Sequence, residues 1–385
     1  AEALGAIARG GGEGGKEAIT ALISVLQDSS LNEDTQRAAT EALEAIASAR
    51  GEGTEMTVSP LVDVLQSSSL DAEARKVIAD ALEAIANAGG EVRGKAVATL
   101  VAVLQDPPSD EDTQKSVIEA IGAIAKAGGE VGEEAVSALA VLFQDTSLDD
   151  YTQKTAVEAL EAIAAGGGEV GGIAVSSLVN VLQHSLEADT RKAAAEAIGA
   201  ITKAGGEVGR EAVSALLHLF KETSLEEYIR RTAAEALEAI GTAGGEVSGM
   251  AVAALVDILK DLDFDMLWAA LKALEAIAKA GGKIKVGGET LTFLVAALKH
   301  PSLDADTQWA AAEALEAIAA AGGIIDGKAV ADLVVALKNS SGENTQRAAA
   351  YESIGVIAKA RGEVGEESVS VLLRILKDSS LDDYM

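Results

Sequence analysis

Cysteine is absent from the 385 residues, so the chain has neither a disulfide framework nor thiolate chemistry. A cysteine-free protein fits the cytoplasm and an extracellular setting equally well, and the compartment stays unknown. Proline occurs four times and aromatic residues make up 3 %, a composition that leaves helices uninterrupted. No apolar run reaches the ~20 residues of a membrane-spanning helix, and no signal-peptide pattern opens the chain, so no membrane insertion is expected. Positive charge is scarce as well. Lysine and arginine number 31 against 61 acidic residues, a formal charge of −30. Such a field repels nucleic acid and anionic membranes, and it suits a basic protein partner or a salty habitat.

What is present is a repeat, and repeats decide the fold before any local reading does. One phrase recurs: an acidic residue, a small residue, Leu or Ile, two further residues and Ile. The anchor falls at Leu4, Leu43, Leu82, Ile121, Leu160, Ile198, Leu237, Leu274, Leu315 and Ile354. Successive spacings are 39, 39, 39, 39, 38, 39, 37, 41 and 39, and isoleucine stands three residues after every anchor, from Ile7 to Ile357. The stretch from Lys126 to Tyr151 matches that from Lys203 to Tyr228, two units on, as internal duplication would leave it.

One unit shows the local structure. From Glu133 to Gln144 the apolar residues Val136, Leu139, Leu142 and Phe143 recur at helical steps. Ser147 follows as the expected N-cap, with Asp150 three residues on as in a capping box. A second helix begins near Tyr151 and sets Ala156, Val157, Leu160, Ile163 and Ala164 on one face. Glycine pairs such as Gly128-Gly129 and Gly205-Gly206 stop the equivalent helices, glycine supplying the left-handed residue. Each unit therefore reads as helix, capped turn, helix, glycine stop. A lone two-helix unit cannot bury its apolar stripe, so the units stack.

The segment Thr35-Gln36-Arg37-Ala38-Ala39-Thr40-Glu41-Ala42-Leu43-Glu44-Ala45-Ile46-Ala47 resembles the second helix of HEAT repeats, most of all the variety in phycobilisome-lyase-like proteins. The resemblance covers essentially residues 1–385 as one continuous array that begins and ends in mid-repeat. It implies an all-α fold, a right-handed α-α superhelix of about ten two-helix units of about 39 residues. The units match that variety in their helices more than in their turns, which are longer. For function it implies a non-enzymatic protein-interaction scaffold, with a bilin-lyase-like enzyme a distant third reading suggested by the resemblance alone. The second reading is structural, a filament subunit or rigid spacer. Both chain ends fall at nearly the same phase of the repeat, so head-to-tail self-association through open ends is its expected route.

The resemblance also places the second helix on the concave wall, where three columns fall on one polar side. Two residues before the anchor stand Glu41, Asp80, Glu119, Glu158, Glu196 and Glu235, then Lys272 and Glu313. One residue after it stand Glu44, Glu83, Glu161, Glu238, Glu275 and Glu316, with glycine in other units. Six before it stand Arg37, Lys76, Lys115, Lys154, Lys192 and Arg231, and pairs such as Lys154 with Glu158 are expected within a helix. These columns read either as a solvated, charge-laced face or as an acidic groove for a basic partner. The basic column then changes to Trp268 and Trp309, the chain's two tryptophans. They are either paired interface anchors or fillers of gaps left by the irregular 37- and 41-residue steps.

No cofactor, metal or catalytic constellation is marked. Asp261, Asp263 and Asp265 alternate like a calcium loop, but Met266 stands where glycine is required and Lys272 where the closing glutamate belongs, which excludes an EF-hand. His184, His218 and His300 lie in different units without ligand spacing. The recurrent Gly-Gly-Glu-Val-Gly reads as a helix stop rather than a phosphate cradle.

Overall fold

The structure is a computed structural model and describes residues 2–9, 12–27, 91–105, 111–143, 148–260, 264–280 and 305–320, with single positions at 35, 38, 39, 41, 42, 294 and 303. Among these residues the regular structure is entirely helical. The helices are α1 (Glu2–Arg9), α2 (Gly12–Gln27), α3 (Glu91–Gln105), α4 (Glu111–Lys126), α5 (Glu133–Leu142), α6 (Asp150–Ala165) and α7 (Gly168–His184). They continue as α8 (Ala188–Lys203), α9 (Arg210–Lys221), α10 (Glu227–Ala243), α11 (Gly245–Lys260), α12 (Phe264–Lys279) and α13 (Ala305–Ala320). The chain forms two compact units, Ala1–Ala197 and Ile198–Met385.

Inside each unit the helices make two layers. In the first, α3, α5 and α7 stack along one layer and α4 and α6 along the other, while each pair packs across the layers. In the second, α9 and α11 form one layer and α10, α12 and α13 the other. The anchor columns explain the arrangement. Ile121, Leu160, Ile198, Leu237, Leu274 and Leu315 are all fully buried, and the isoleucines three residues on are buried too. A residue and its i+3 neighbour share one helix face, so this face becomes the seam between layers. In α1 the column is more open, with Ile7 52 % exposed.

Small residues set the spacing within the second-helix layer. A Cβ added to Gly122 would lie 3.3 Å from the Ala159 Cα, and one on Gly199 would lie 3.4 Å from the Ala236 Cα. Glycine one residue after the anchor therefore faces alanine one residue before the next, and the backbones approach closely.

The expected caps are partly revised. The N-cap of α6 is Asp149 rather than Ser147, which lies outside the described residues. Asp149 is extended (φ −68°, ψ 160°), and its carboxylate accepts the Thr152 N–H at 2.7 Å. A carboxylate adjoining the first turn satisfies an orphan donor and also suits the helix dipole. The glycine stops hold: Gly128 and Gly205 have φ of 75° and 86°. Behind them Gly129 donates to the Ile124 carbonyl at 2.8 Å and Gly128 to Ala125 at 2.9 Å, the Schellman pattern.

The phrase Gly-Gly-Glu-Val-Gly takes two conformations. At 128–132 and 205–209 it is a stop and an extended connection, with Gly132 and Gly209 as N-caps of α5 and α9. At 167–171 it opens α7, and its counterpart Gly244-Gly245-Glu246-Val247-Ser248 opens α11. There the helix starts hard against its predecessor. Gly171 is buried with room for no Cβ nearer than 3.1 Å to the Ala164 carbonyl, and the buried Ser248 hydroxyl donates to the Gly241 carbonyl.

A buried polar column, seven residues before the anchor, joins the layers. The Arg191 Nε donates to the Leu182 carbonyl at 3.0 Å, and the Arg230 Nε to the Phe220 carbonyl at 2.8 Å. Both carbonyls lie in the last turn of a first-layer helix, where acceptors lack intrahelical donors. Gln153 fills the same place in α6. It donates to the Leu148 carbonyl at 3.3 Å and accepts from the Thr190 hydroxyl at 3.0 Å, which ties α6 to α8. Over residues 36–308 the column was legible in the sequence as Gln36, Arg75, Gln114, Gln153, Arg191, Arg230 and Gln308, with Leu267 interrupting it. Its role was not, because nothing local says that it is buried.

Candidate interaction surface

Within each unit, carboxylates of neighbouring second-layer helices lie near one another. Glu161 on α6 is half-buried, with Glu158 beside it, Lys126 of α4 and Glu196 of α8 facing it. Burial pushes its carboxyl above the ordinary range; Lys126 pulls against that, and the charges of Glu158 and Glu196 add to it. Glu238 on α10 repeats the arrangement with Lys203, Glu235 and Glu275. Burial again comes first, Lys203 opposes, and the two glutamates raise the carboxyl further. In both places the lysine opposes burial without cancelling it, so the Glu161 and Glu238 carboxyls stay raised.

Glu275 differs, although it occupies the same column. It is only 6 % exposed. Its carboxylate takes hydrogen bonds from Lys272 at 2.9 Å and from Lys279. Burial alone would raise it, but the two lysines outweigh burial and hold it below the ordinary carboxylate range. Lys272 in turn reaches Glu313 of α13, and these two carboxylates hold the ammonium above its usual value despite the opposing pull of burial. Here the sign reversal at Lys272, visible in the sequence, becomes an inter-helix ion network. Glu275 is consequently not an open member of the acidic face.

The basic column pairs in two ways. Lys192 bonds Glu196 four residues on at 2.6 Å, the geometry expected for Lys154 and Glu158. Arg231 instead bonds Glu227 on the preceding turn, and its guanidinium lies 5.6 Å from the centre of the Trp268 ring. Lys115 likewise sits 4.1 Å from the centre of the Tyr151 ring. A cation from one second-layer helix thus covers an aromatic ring on the next, an attraction worth about 0.5–1 kcal/mol at an exposed site. Trp268 is 36 % exposed, so its indole belongs to the surface and not to the filled core. Tyr228 is half-exposed one turn before Arg231.

Glu44 and Glu83 lie outside the described residues, as do the side chains of Trp309 and Glu316, whose backbone positions belong to α13. Asp261, Asp263 and His300 are outside them too. His184 is an exposed helix-end residue within 3.1 Å of the Asn180 carbonyl, and His218 is exposed on α9. Among the described residues no group of His, Cys, Asp and Glu is arranged to hold a metal ion, and no helix is long and apolar enough to cross a membrane.

A family model for HEAT repeats matches residues 58–161 and 175–275, more than half of the chain. Among curated proteins none matches. Solved structures of helical-repeat proteins do. An engineered protein is 25 % identical over 94 % of this chain and 95 % of its own, with a TM-score of 0.43. Importin beta is 17 % identical over 96 % of this chain and 50 % of its own, with a TM-score of 0.51. Kap121p is 14 % identical over 94 % of this chain and 40 % of its own, with a TM-score of 0.56. The chain thus spans half or less of the length of these two structures, and the likeness to them is one of fold. The chain belongs to the HEAT-repeat family and is a helical-repeat solenoid.

Proposed function

From this family membership as premise, we propose that the chain is a non-catalytic protein-interaction scaffold that holds a basic partner on its second-layer helices. Its residues are read as one continuous array for this purpose. The observation that carries the proposal is the surface-exposed Trp268, in the unit that also carries the half-buried, raised carboxyl of Glu238, on a chain of net charge −30. An exposed indole supplies apolar contact area at little cost in side-chain entropy, and tryptophan is enriched among residues that dominate binding energy. Excess carboxylate supplies attraction at distance and selects partner charge. Kap121p, similar in fold, has been solved bound to Nup53p, which supports protein holding by an array of this kind. Trp309, Glu44, Glu83 and Glu316 extend the same columns and belong to the proposed contact set.

The test uses the full chain immobilised as wild type, as E161K/E238K and as W268A/W309A. Captured protein is identified by mass spectrometry, and one purified partner is titrated against all three. Both variants are expected to weaken that partner by at least tenfold, the wild-type affinity falling steeply with added salt. Equal affinity for all three forms overturns the proposal.

A further inference from the structure

The unit junction between α12 and α13 is unlike the others in one respect. Its second-layer helices are joined by a charge pair at the column two residues before the anchor, where the neighbouring units carry glutamate or aspartate. The step from Leu274 to Leu315 is 41 residues, two more than the usual step. Glutamate at position 272 would set like charge against Glu313 and Glu275. Lysine there draws both in, and Lys279 completes the neutralisation of Glu275 from the following turn.

The register has a consequence for the tryptophans. Trp268 stands four residues before Lys272 on α12, and Trp309 stands four residues before Glu313 on α13. Four residues are one helical turn, so each tryptophan position lies one turn before a member of the bridge, on the same side of its helix. A bridge that aligns Lys272 with Glu313 therefore also aligns position 268 with position 309.

We infer that Lys272 is a positioning residue, which locks α12 to α13 through Glu275 and Glu313 and so sets the two tryptophan positions side by side as one contact surface. This rests on reading Trp268 and Trp309 as partner contacts. The charged groups set against Glu275 are Lys272 and Lys279 on its own helix, Glu238 on α10 and, through Lys272, Glu313 on α13. The lock is partly buried, so it resists salt that would screen the exposed pairs. Two helices held in this register present both positions to a partner without further ordering of the backbone, which favours affinity through preorganisation.

The protein carries its own reporter, since these are its two tryptophans. The full chain is compared as wild type, K272R, K272M, K272E and K272E/E313K by tryptophan emission and acrylamide quenching, with helicity followed by circular dichroism. K272R should keep the wild-type emission. K272M should shift to the red and quench more readily, and K272E more than K272M, with helicity unchanged. K272E/E313K should recover part of the shift, because the pair is rebuilt with its signs exchanged while Glu275 keeps only Lys279. Wild-type emission and quenching in K272E overturns the inference, and so does an equal shift in K272R, K272M and K272E. Should K272E lose helicity, the comparison of K272R with K272M decides: a shift in K272M alone supports the lock, and no difference overturns it. Partner capture by W268A/W309A is a separate readout. Undiminished capture there defeats the contact reading while the emission order still reports on the lock.

Discussion

Glu161 and Glu275 each stand one residue after an anchor leucine, Leu160 and Leu274, and the fold treats them oppositely. Burial among like charges raises the Glu161 carboxyl, so its ionised form opposes folding at neutral pH. That opposition lessens as pH falls through the raised folded value toward the ordinary carboxylate range. Glu161→Gln should therefore leave stability at pH 7 unchanged or slightly increased, and it should abolish the part of the wild-type gain on mild acidification that Glu161 contributes. The lysines lower the Glu275 carboxyl, so its stabilisation is present above the ordinary carboxylate range and is lost as pH falls through the depressed value. Glu275→Gln should cost about 1.5–3 kcal/mol at pH 7, the scale of hydrogen bonds to charged groups. Urea melts of both variants at neutral and mildly acidic pH check the pair, and the same sign of change at pH 7 would contradict the assignment. The sequence placed both residues in one acidic column. It could not tell them apart, since burial and the reach of Lys279 depend on neighbouring helices.

The helices themselves were legible because their apolar positions recur at three and four residues, and because the same anchors return in every unit. Leu237 is fully buried at the seam between layers, and Leu237→Ala should cost about 2–5 kcal/mol in a denaturant melt. The ends of the helices were legible only in part. Gly128 was expected in the left-handed conformation and adopts it. Gly-Gly-Glu-Val-Gly was read as a stop; at 167–171 and at its counterpart 244–248 the phrase both ends one helix and opens the next, at Gly168 and at Gly245. The difference can be measured at the last glycine of the phrase. At Gly132, with φ of −76°, an added Cβ meets only the flexible Glu134 carboxylate, so Gly132→Ala should cost no more than the roughly 0.5–1 kcal/mol of a poorer N-cap. At Gly171 an added Cβ meets the Ala164 backbone of the preceding helix, and Gly171→Ala should cost on the order of 1–3 kcal/mol as overpacking does. Thermal melts of the two variants compare them directly. Equal effects would mean that the phrase folds alike in both places.

For the molecule as a whole, the charge of −30 means that self-repulsion opposes compaction, and mobile ions relieve it within a Debye length of about 10 Å at 0.1 M salt. The melting temperature should rise as sodium chloride is added. Exposed pairs such as Lys221 with Asp257, 3.1 Å apart on α9 and α11, contribute little to oppose that trend. Calorimetry across a salt series tests this, and a falling melting temperature would show that ion pairs outweigh the repulsion. The proposed basic partner responds in the opposite direction, since screening weakens its attraction to the acidic columns.

Two kinds of information divide here. Periodicity alone established that the chain is all-helical, that it repeats, and which face of each second helix is apolar, because burying a stripe at helical spacing leaves no other arrangement. It also located the departure from regularity at Trp268, Lys272 and Trp309. Packing decided the rest. Whether a glycine-rich phrase that stops one helix runs through an extended connection or opens the next helix at once depends on how closely the neighbouring helix approaches. Whether a glutamate in a repeated column is a strained surface charge or the centre of an ion network depends on which lysines the adjoining helices bring within reach.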